Sequence, residues 1–129
     1  MLTRRTFACL IASLAVAAPS AAADPFAQVA ADVNERMVKI FGSGGFKGVV
    51  NYSSGMIISK EGHIVTVASQ TLDTSELIVH LYDGRRMKAQ VLVTEPLLDI
   101  ALIQIKVDGK KPGEPNGLDR PFFDLQAAA

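Results

Sequence analysis

The chain has 129 residues, with 13 basic and 13 acidic side chains and no formal net charge. That length holds at most one domain beside a targeting segment, and the charge balance gives no ground for a nucleic acid or an acidic polymer as partner. Hydrophobic residues make up 49% of the chain; helix-forming runs are absent after residue 40, so a β-rich domain is expected.

The first segment reads as an export signal. Arg4-Arg5 precedes an uncharged apolar run from Phe7 to Ala18, followed by Pro19, Ser20 and the small residues Ala21-Ala22-Ala23. A basic start, a short apolar stretch and an Ala-x-Ala end are the parts of a secretory signal peptide over residues 1–23. At about 12 residues the apolar run is too short to span a bilayer. Thr3-Arg4-Arg5-Thr6-Phe7 also resembles the twin-arginine export motif, which leaves both export routes open. The single cysteine, Cys9, falls in this segment without the spacing of a lipoprotein leader. The mature chain is therefore expected to hold no thiol, disulfide or thiolate metal site, as suits a small bacterial periplasmic or secreted protein. Removing Arg4 and Arg5 from the 13 basic residues leaves 11 against 13 acidic ones, a faintly acidic mature chain.

Residues 24–36 carry apolar side chains at Phe26, Val29, Ala30 and Val33, one face of a helix. Asp24 stands at the N-cap and Pro25 at the first helical position. This short helical lead-in should run into a first strand, Met37 to Phe41. Gly42 to Gly48 is too glycine-rich for regular structure and reads as a loop; a phosphate cradle would need a Gly-Lys-Ser/Thr ending and a following helix. Ser54 to Ser59 and His63 to Ala68 read as a hairpin about Lys60-Glu61-Gly62. Glu76 to Tyr82 and Arg86 to Thr94 read as a second hairpin with a two-residue Asp83-Gly84 turn. After Glu95-Pro96, Ile100 to Val107 makes a last strand. Six short strands joined by tight turns suggest a small antiparallel barrel or sandwich. Ile57, Ile64, Val79, Val91, Ala101 and Ile103 form its expected apolar stripe. Residues 108–129 read as a linker and a short tail.

Five pieces of this pattern, in order, resemble the trypsin-like serine proteases of the HtrA (Deg) family. Ser54-Gly55-Met56-Ile57-Ile58 is similar to that family's Gly-Ser-Gly-Val-Ile-Ile strand. Gly62-His63-Ile64-Val65-Thr66-Val67-Ala68-Ser69 is similar to the strand Gly-Tyr-Ile-Leu-Thr-Asn-Asn-His that delivers the general base. Leu81-Tyr82-Asp83-Gly84-Arg85 corresponds to a Leu-x-Asp-Gly-Arg hairpin, and Ala89-Gln90-Val91 to the Ala-x-Val after it. Asp99-Ile100-Ala101-Leu102-Ile103-Gln104-Ile105 corresponds to the strand headed by the orienting aspartate. The resemblance covers Met37 to Val107 and implies a mostly β fold. That fold is a six-stranded antiparallel barrel like the first half of the trypsin-like fold, preceded by a short N-terminal helix.

The resemblance places the family's triad aspartate at Asp99 and puts Ser69 where its histidine stands. Serine-protease chemistry needs a nucleophilic serine, a histidine to take its proton, an acid to fix the imidazole and donors for the oxyanion. A serine hydroxyl cannot act as a base near neutral pH. The Gly-Asn-Ser-Gly-Gly motif of the second barrel is also missing from the sequence. No intact catalytic set is expected. His63 lies six residues before Ser69 on the same strand, roughly 20 Å away at strand rise and beyond hydrogen-bond reach. His80 alternates with Ile78 and Tyr82 as a half-buried or surface side chain. The two histidines with Asp73, Asp83 or Glu61 could in principle form a metal site, but no close His-His spacing supports one, and neither metal nor cofactor is expected. Asp99 then reads as a structural remnant that accepts backbone or hydroxyl hydrogen bonds, with Ser69 and Thr66 as candidate donors.

The leading expectation is an exported, non-catalytic protein resembling the first barrel of an HtrA-type protease. It would use its exposed apolar face to bind a protein partner or another copy of itself. Two alternatives stay open: the N-terminal part of a longer trypsin-like endopeptidase, and a small β-barrel module that binds peptides by strand addition.

Overall fold

The computed structural model describes residues 24–42, 51–111, 114 and 117–127. The expected leader, residues 1–23, and the predicted loop beyond Gly42 lie outside them. Helix α1, Pro25–Arg36, starts as its sequence dictates: the Asp24 carboxylate accepts the Phe26 amide at 3.0 Å, and Pro25 occupies the first turn. It ends at Met37, which turns extended as the β-branched sequence begins. No residue of α1 is buried, and its apolar face is open, with Phe26 83% exposed. Its last turn is where it meets the rest of the chain: the Arg36 guanidinium lies 5.6 Å over the Phe123 ring.

Six strands follow: β1 Met37–Gly42, β2 Asn51–Ile57, β3 His63–Val67, β4 Leu77–His80, β5 Arg86–Glu95 and β6 Ile100–Ile105. They close in the order β1-β2-β3-β6-β5-β4, every neighbouring pair antiparallel. The expected six-stranded antiparallel barrel is the one observed, and closure decides for a barrel over a sandwich. Alternation supplies the core, since successive side chains of a strand point to opposite faces. Val38 and Ile40, Ile57, Ile64, Leu77 and Val79, Ala89, and Ala101, Ile103 and Ile105 point inward. Ile40, Ile64, Ile103 and Val79 are fully buried, and burying each such side chain contributes about 1.5–3 kcal/mol of transfer free energy. Small residues make room where large ones cross: a Cβ on Gly55 would fall 2.6 Å from Ile64 Cγ2 and 2.9 Å from Ile40 Cδ1.

Several local expectations need correcting. Gly42 belongs to β1 rather than to the loop, and its Cα faces the Thr71 carbonyl of a 3-10 turn, Gln70–Leu72, that closes this end of the barrel with buried Thr71 and Leu72. The β4–β5 connection is one residue longer than predicted. Leu81 still bonds across to the Arg85 carbonyl at 2.9 Å, so Tyr82, Asp83 and Gly84 form a three-residue turn with Gly84 at φ 85°. A glycine there fits the left-handed position of such a turn. Val91 leaves the expected core stripe: it pairs with Ile103, just ahead of a bulge before Val93, but β4 ends opposite Ala89, and Val91 is 38% exposed.

The tail is not a free linker. Leu118 and Phe122 pack against the core, and the Phe123 amide donates to the Ile57 carbonyl at 2.8 Å. Arg120 reaches Asp83 at 3.2 Å. This segment covers the end of the barrel opposite the 3-10 turn. No helix among the described residues is long and apolar enough to cross a membrane.

Candidate functional site

The end of the barrel that carries the 3-10 turn also carries Ser69 and Asp99. β3 ends at Val67 opposite Ile100, the first residue of β6. The backbone continues the pairing for one more bond, from the Ala68 amide to the Asp99 carbonyl at 3.0 Å. Ser69 thus follows, and Asp99 accepts, the last bond between these two chain segments. The long-range pairing of β3 with β6 brings together two positions 30 residues apart in the sequence.

The side chains do not engage as the sequence suggested. Thr66 is buried and its hydroxyl donates to the Ser54 carbonyl at 2.8 Å, tying β3 to β2 and leaving nothing for Asp99. Ser69 is exposed and extended, and it contributes its backbone carbonyl to the Leu72 amide at 3.0 Å rather than a side-chain cap. Neither hydroxyl makes a hydrogen bond to the Asp99 carboxylate; Asp99 is exposed and is the last residue of the β5–β6 turn, directly before β6, with φ 58°. Its carbonyl, not its carboxylate, makes the link to β3. A left-handed backbone at a non-glycine residue is uncommon, and short polar Asp adopts it more readily than most.

Both histidines are held elsewhere. His63 opens β3 at the far end of the barrel, where its Nδ1 lies 2.7 Å from the Ser59 hydroxyl. His80 packs its ring 4.4 Å from Phe41, between Lys39 of β1 and Arg86 of β5 in the strand register. The carboxylates with displaced acidity also sit at that far end. The Arg85 amide and guanidinium, with Arg120 beyond, hold Asp83 below its ordinary value. Backbone and Ser59 hydrogen bonds lower Glu61.

Several apolar side chains are exposed near Asp99 and along β5. Val67, Val91, Leu92, Val93, Leu97, Leu98 and Ile100 are all exposed, Leu97 at 94%. The run Leu97-Leu98 was the available sequence signal for this patch, since two leucines beside a turn have no partner of their own.

A closed six-stranded antiparallel barrel of this kind is one half of a trypsin-like serine-protease fold, and comparison with known proteins agrees. No family model matches the chain. A probable periplasmic DegP-like serine endoprotease of Pseudomonas fluorescens is 42% identical over 57 residues, 44% of this chain and 12% of that protein. The serine protease HTRA1 of Xenopus laevis is 41% identical over 59 residues, 46% of this chain and 13% of that protein. A serine endoprotease from Yersinia pestis superposes with a TM-score of 0.57 at 22% identity, over 67% of this chain and 31% of that one. The alignments therefore span about an eighth of the length of these curated relatives, and the chain carries an HtrA-like, trypsin-like barrel.

Proposed function

We propose that this chain is an exported, non-catalytic relative of the HtrA-type proteases that acts by binding polypeptide rather than by cutting it. The observation that carries the reading is the pair of positions at the end of β3 and β6. Asp99 stands where the resemblance puts the orienting acid, while Ser69 offers a hydroxyl where a base is required. Both histidines are held away from that pair by their own packing. Several apolar side chains near it are exposed, the character of an interaction site. Export to the periplasm agrees with the leader-like residues 1–23 and with the periplasmic description of the Pseudomonas relatives. The test is cleavage of unfolded casein by the purified chain and by a Ser69→His variant. No cleavage by either is expected; cleavage by the unmodified chain would overturn the reading.

The short coverage of the relatives favours a second reading, in which these residues are the N-terminal part of a longer trypsin-like endopeptidase. Coding sequence continuing past Ala129 into a second barrel would decide for it. Even then Ser69 predicts no triad activity.

A further inference from the structure

We infer that the barrel end under residues 118–123 is a docking edge for an extended segment of another protein, one that carries an arginine three residues before a phenylalanine. The edge arises from the strand register. β1 begins at Met37, opposite Met56, so Ile57 of β2 lies one residue past the β1–β2 ladder. On the β3 side the Ile58 amide bonds the His63 carbonyl at 2.9 Å. Bonded and non-bonded pairs alternate along an antiparallel ladder, so the adjacent Ile57–Ile64 pair is a non-bonded one. The Ile57 carbonyl therefore turns to the side where β1 has stopped. An open edge of this kind is a template for another strand. Phe123 takes that place, its amide donating to the Ile57 carbonyl at 2.8 Å.

The tail shows which chemistry the edge accepts. Leu118 and Phe122 pack on the core, and Leu118 and Arg120 line a small gap with Ile57, Leu81 and Ile105. The Arg120 guanidinium pairs with Asp83 at 3.2 Å. The Phe123 ring lies 5.6 Å from the Arg36 guanidinium. An open backbone edge, an apolar floor, an acid for a basic residue and a cation for a ring are the parts of recognition by strand addition. The tail fills this edge loosely. None of residues 117–127 is fully buried or forms a strand. Arg120 Nε and Nη2 are buried without a hydrogen-bond partner among the described residues, a standing cost of keeping the tail seated. The tail of a second copy would repeat that misfit and so has no advantage over the tethered one. A foreign segment can bring its own acceptor to the arginine.

This inference rests on the reading of the chain as a polypeptide-binding protein, and the two fail differently: casein cleavage overturns that reading, and an edge that takes no peptide overturns this one. The probe is a fluorescent synthetic peptide with the sequence of residues 117–125, titrated by anisotropy into the full chain. The tethered tail competes at an effective concentration of about millimolar, so the unmodified chain should bind the probe weakly. Phe122→Ala loosens the chain's own tail and leaves the edge in place. It should bind the probe at least about tenfold more tightly. Arg120→Met serves as a second loosened chain if circular dichroism shows the first to be unfolded. A probe with serine at both phenylalanine positions should bind none of them. In the unmodified chain, saturating probe should quicken amide exchange at Phe123 as the tail leaves the Ile57 carbonyl. Equal binding by loosened and unmodified chains, or none by a folded loosened chain, would overturn the inference. So would a dimer that exchanges tails and binds no probe, which would assign the edge to a second copy.

Discussion

The Asp99 carbonyl accepts the Ala68 amide at 3.0 Å from a backbone held at φ 58°, so the left-handed conformation of Asp99 is what carries the β3–β6 pairing past Val67. A residue without a short polar side chain meets a steric penalty there of about 1–2 kcal/mol. Asp99→Ala is therefore expected to lower the unfolding free energy by about 1 kcal/mol, and Asp99→Asn to stay within a few tenths. Urea unfolding of the two variants checks this. Equal losses would mean that the carboxylate, not the backbone, holds the turn.

Asp83 sets a pH dependence. Its folded-state acidity is displaced downward, chiefly by the Arg85 amide and with help from the Arg85 and Arg120 side chains. A group more acidic when folded contributes stability that is fully present above its unfolded pKa and is lost as the pH falls through the folded value. The Tm difference between the native chain and Asp83→Asn should thus be constant above about pH 5 and shrink below about pH 4. Because Asp83 is exposed, salt should reduce the part that comes from Arg120. A difference that grows on acidification would contradict the assignment.

Two glycines should respond unequally to alanine. At Gly42 the new Cβ would meet the Thr71 carbonyl, a backbone atom pinned by the 3-10 turn, with Thr74 Cγ2 also at 3.1 Å. At Gly55 it would meet side-chain methyls, Ile64 Cγ2 and Ile40 Cδ1, with the Val65 carbonyl farther off at 3.2 Å. Overpacking of the second kind costs about 1–3 kcal/mol; Gly42→Ala should cost more and displace the 3-10 turn. Denaturant midpoints give the order, and loss of the Leu72 and Asp73 amide protection in Gly42→Ala gives the cause.

The tail should matter to the barrel. Phe122 is half-buried against the core, so Phe122→Ala is expected to destabilise by about 1–2 kcal/mol, below the 3–5 of a fully buried aromatic. Arg120→Met removes the ion pair to Asp83 and should cost less than Phe122→Ala. Thermal unfolding of the two variants tests the ranking.

The sequence made the strands readable where alternation and turn chemistry coincide. Ile57, Ile64, Val79, Ala101 and Ile103 all face the core as their period-two pattern requires, and Asp24 and Pro25 start the helix where capping rules put them. Val91 escaped because β4 ends opposite Ala89 and leaves Val91, still paired with Ile103, without a strand on its other side, and no local residue type announces where a neighbouring strand stops. The tail escaped because Leu118, Phe122 and Phe123 are few and spaced by Pro and charges; the Phe123 amide bonds Ile57 and Arg120 pairs with Asp83, both far back in the chain. At the candidate site, the nearness of Asp99 to the end of β3 was implied by the resemblance. The left-handed backbone at Asp99, and the engagement of its carbonyl rather than its carboxylate, were not.

The strand order has a consequence for how the chain is born. β3 finds its second neighbour only in β6, and the Gln104 side chain that bonds the Glu61 carbonyl comes 43 residues later. A nascent chain that has released β1 to β5 still cannot seal the barrel, so Ile64 and Val79 stay wet until the last strand emerges. Such non-local closure makes folding slow relative to local hairpins. Under the proposed export that delay is an asset: a chain that cannot finish folding while it is being made remains threadable through a translocation pore.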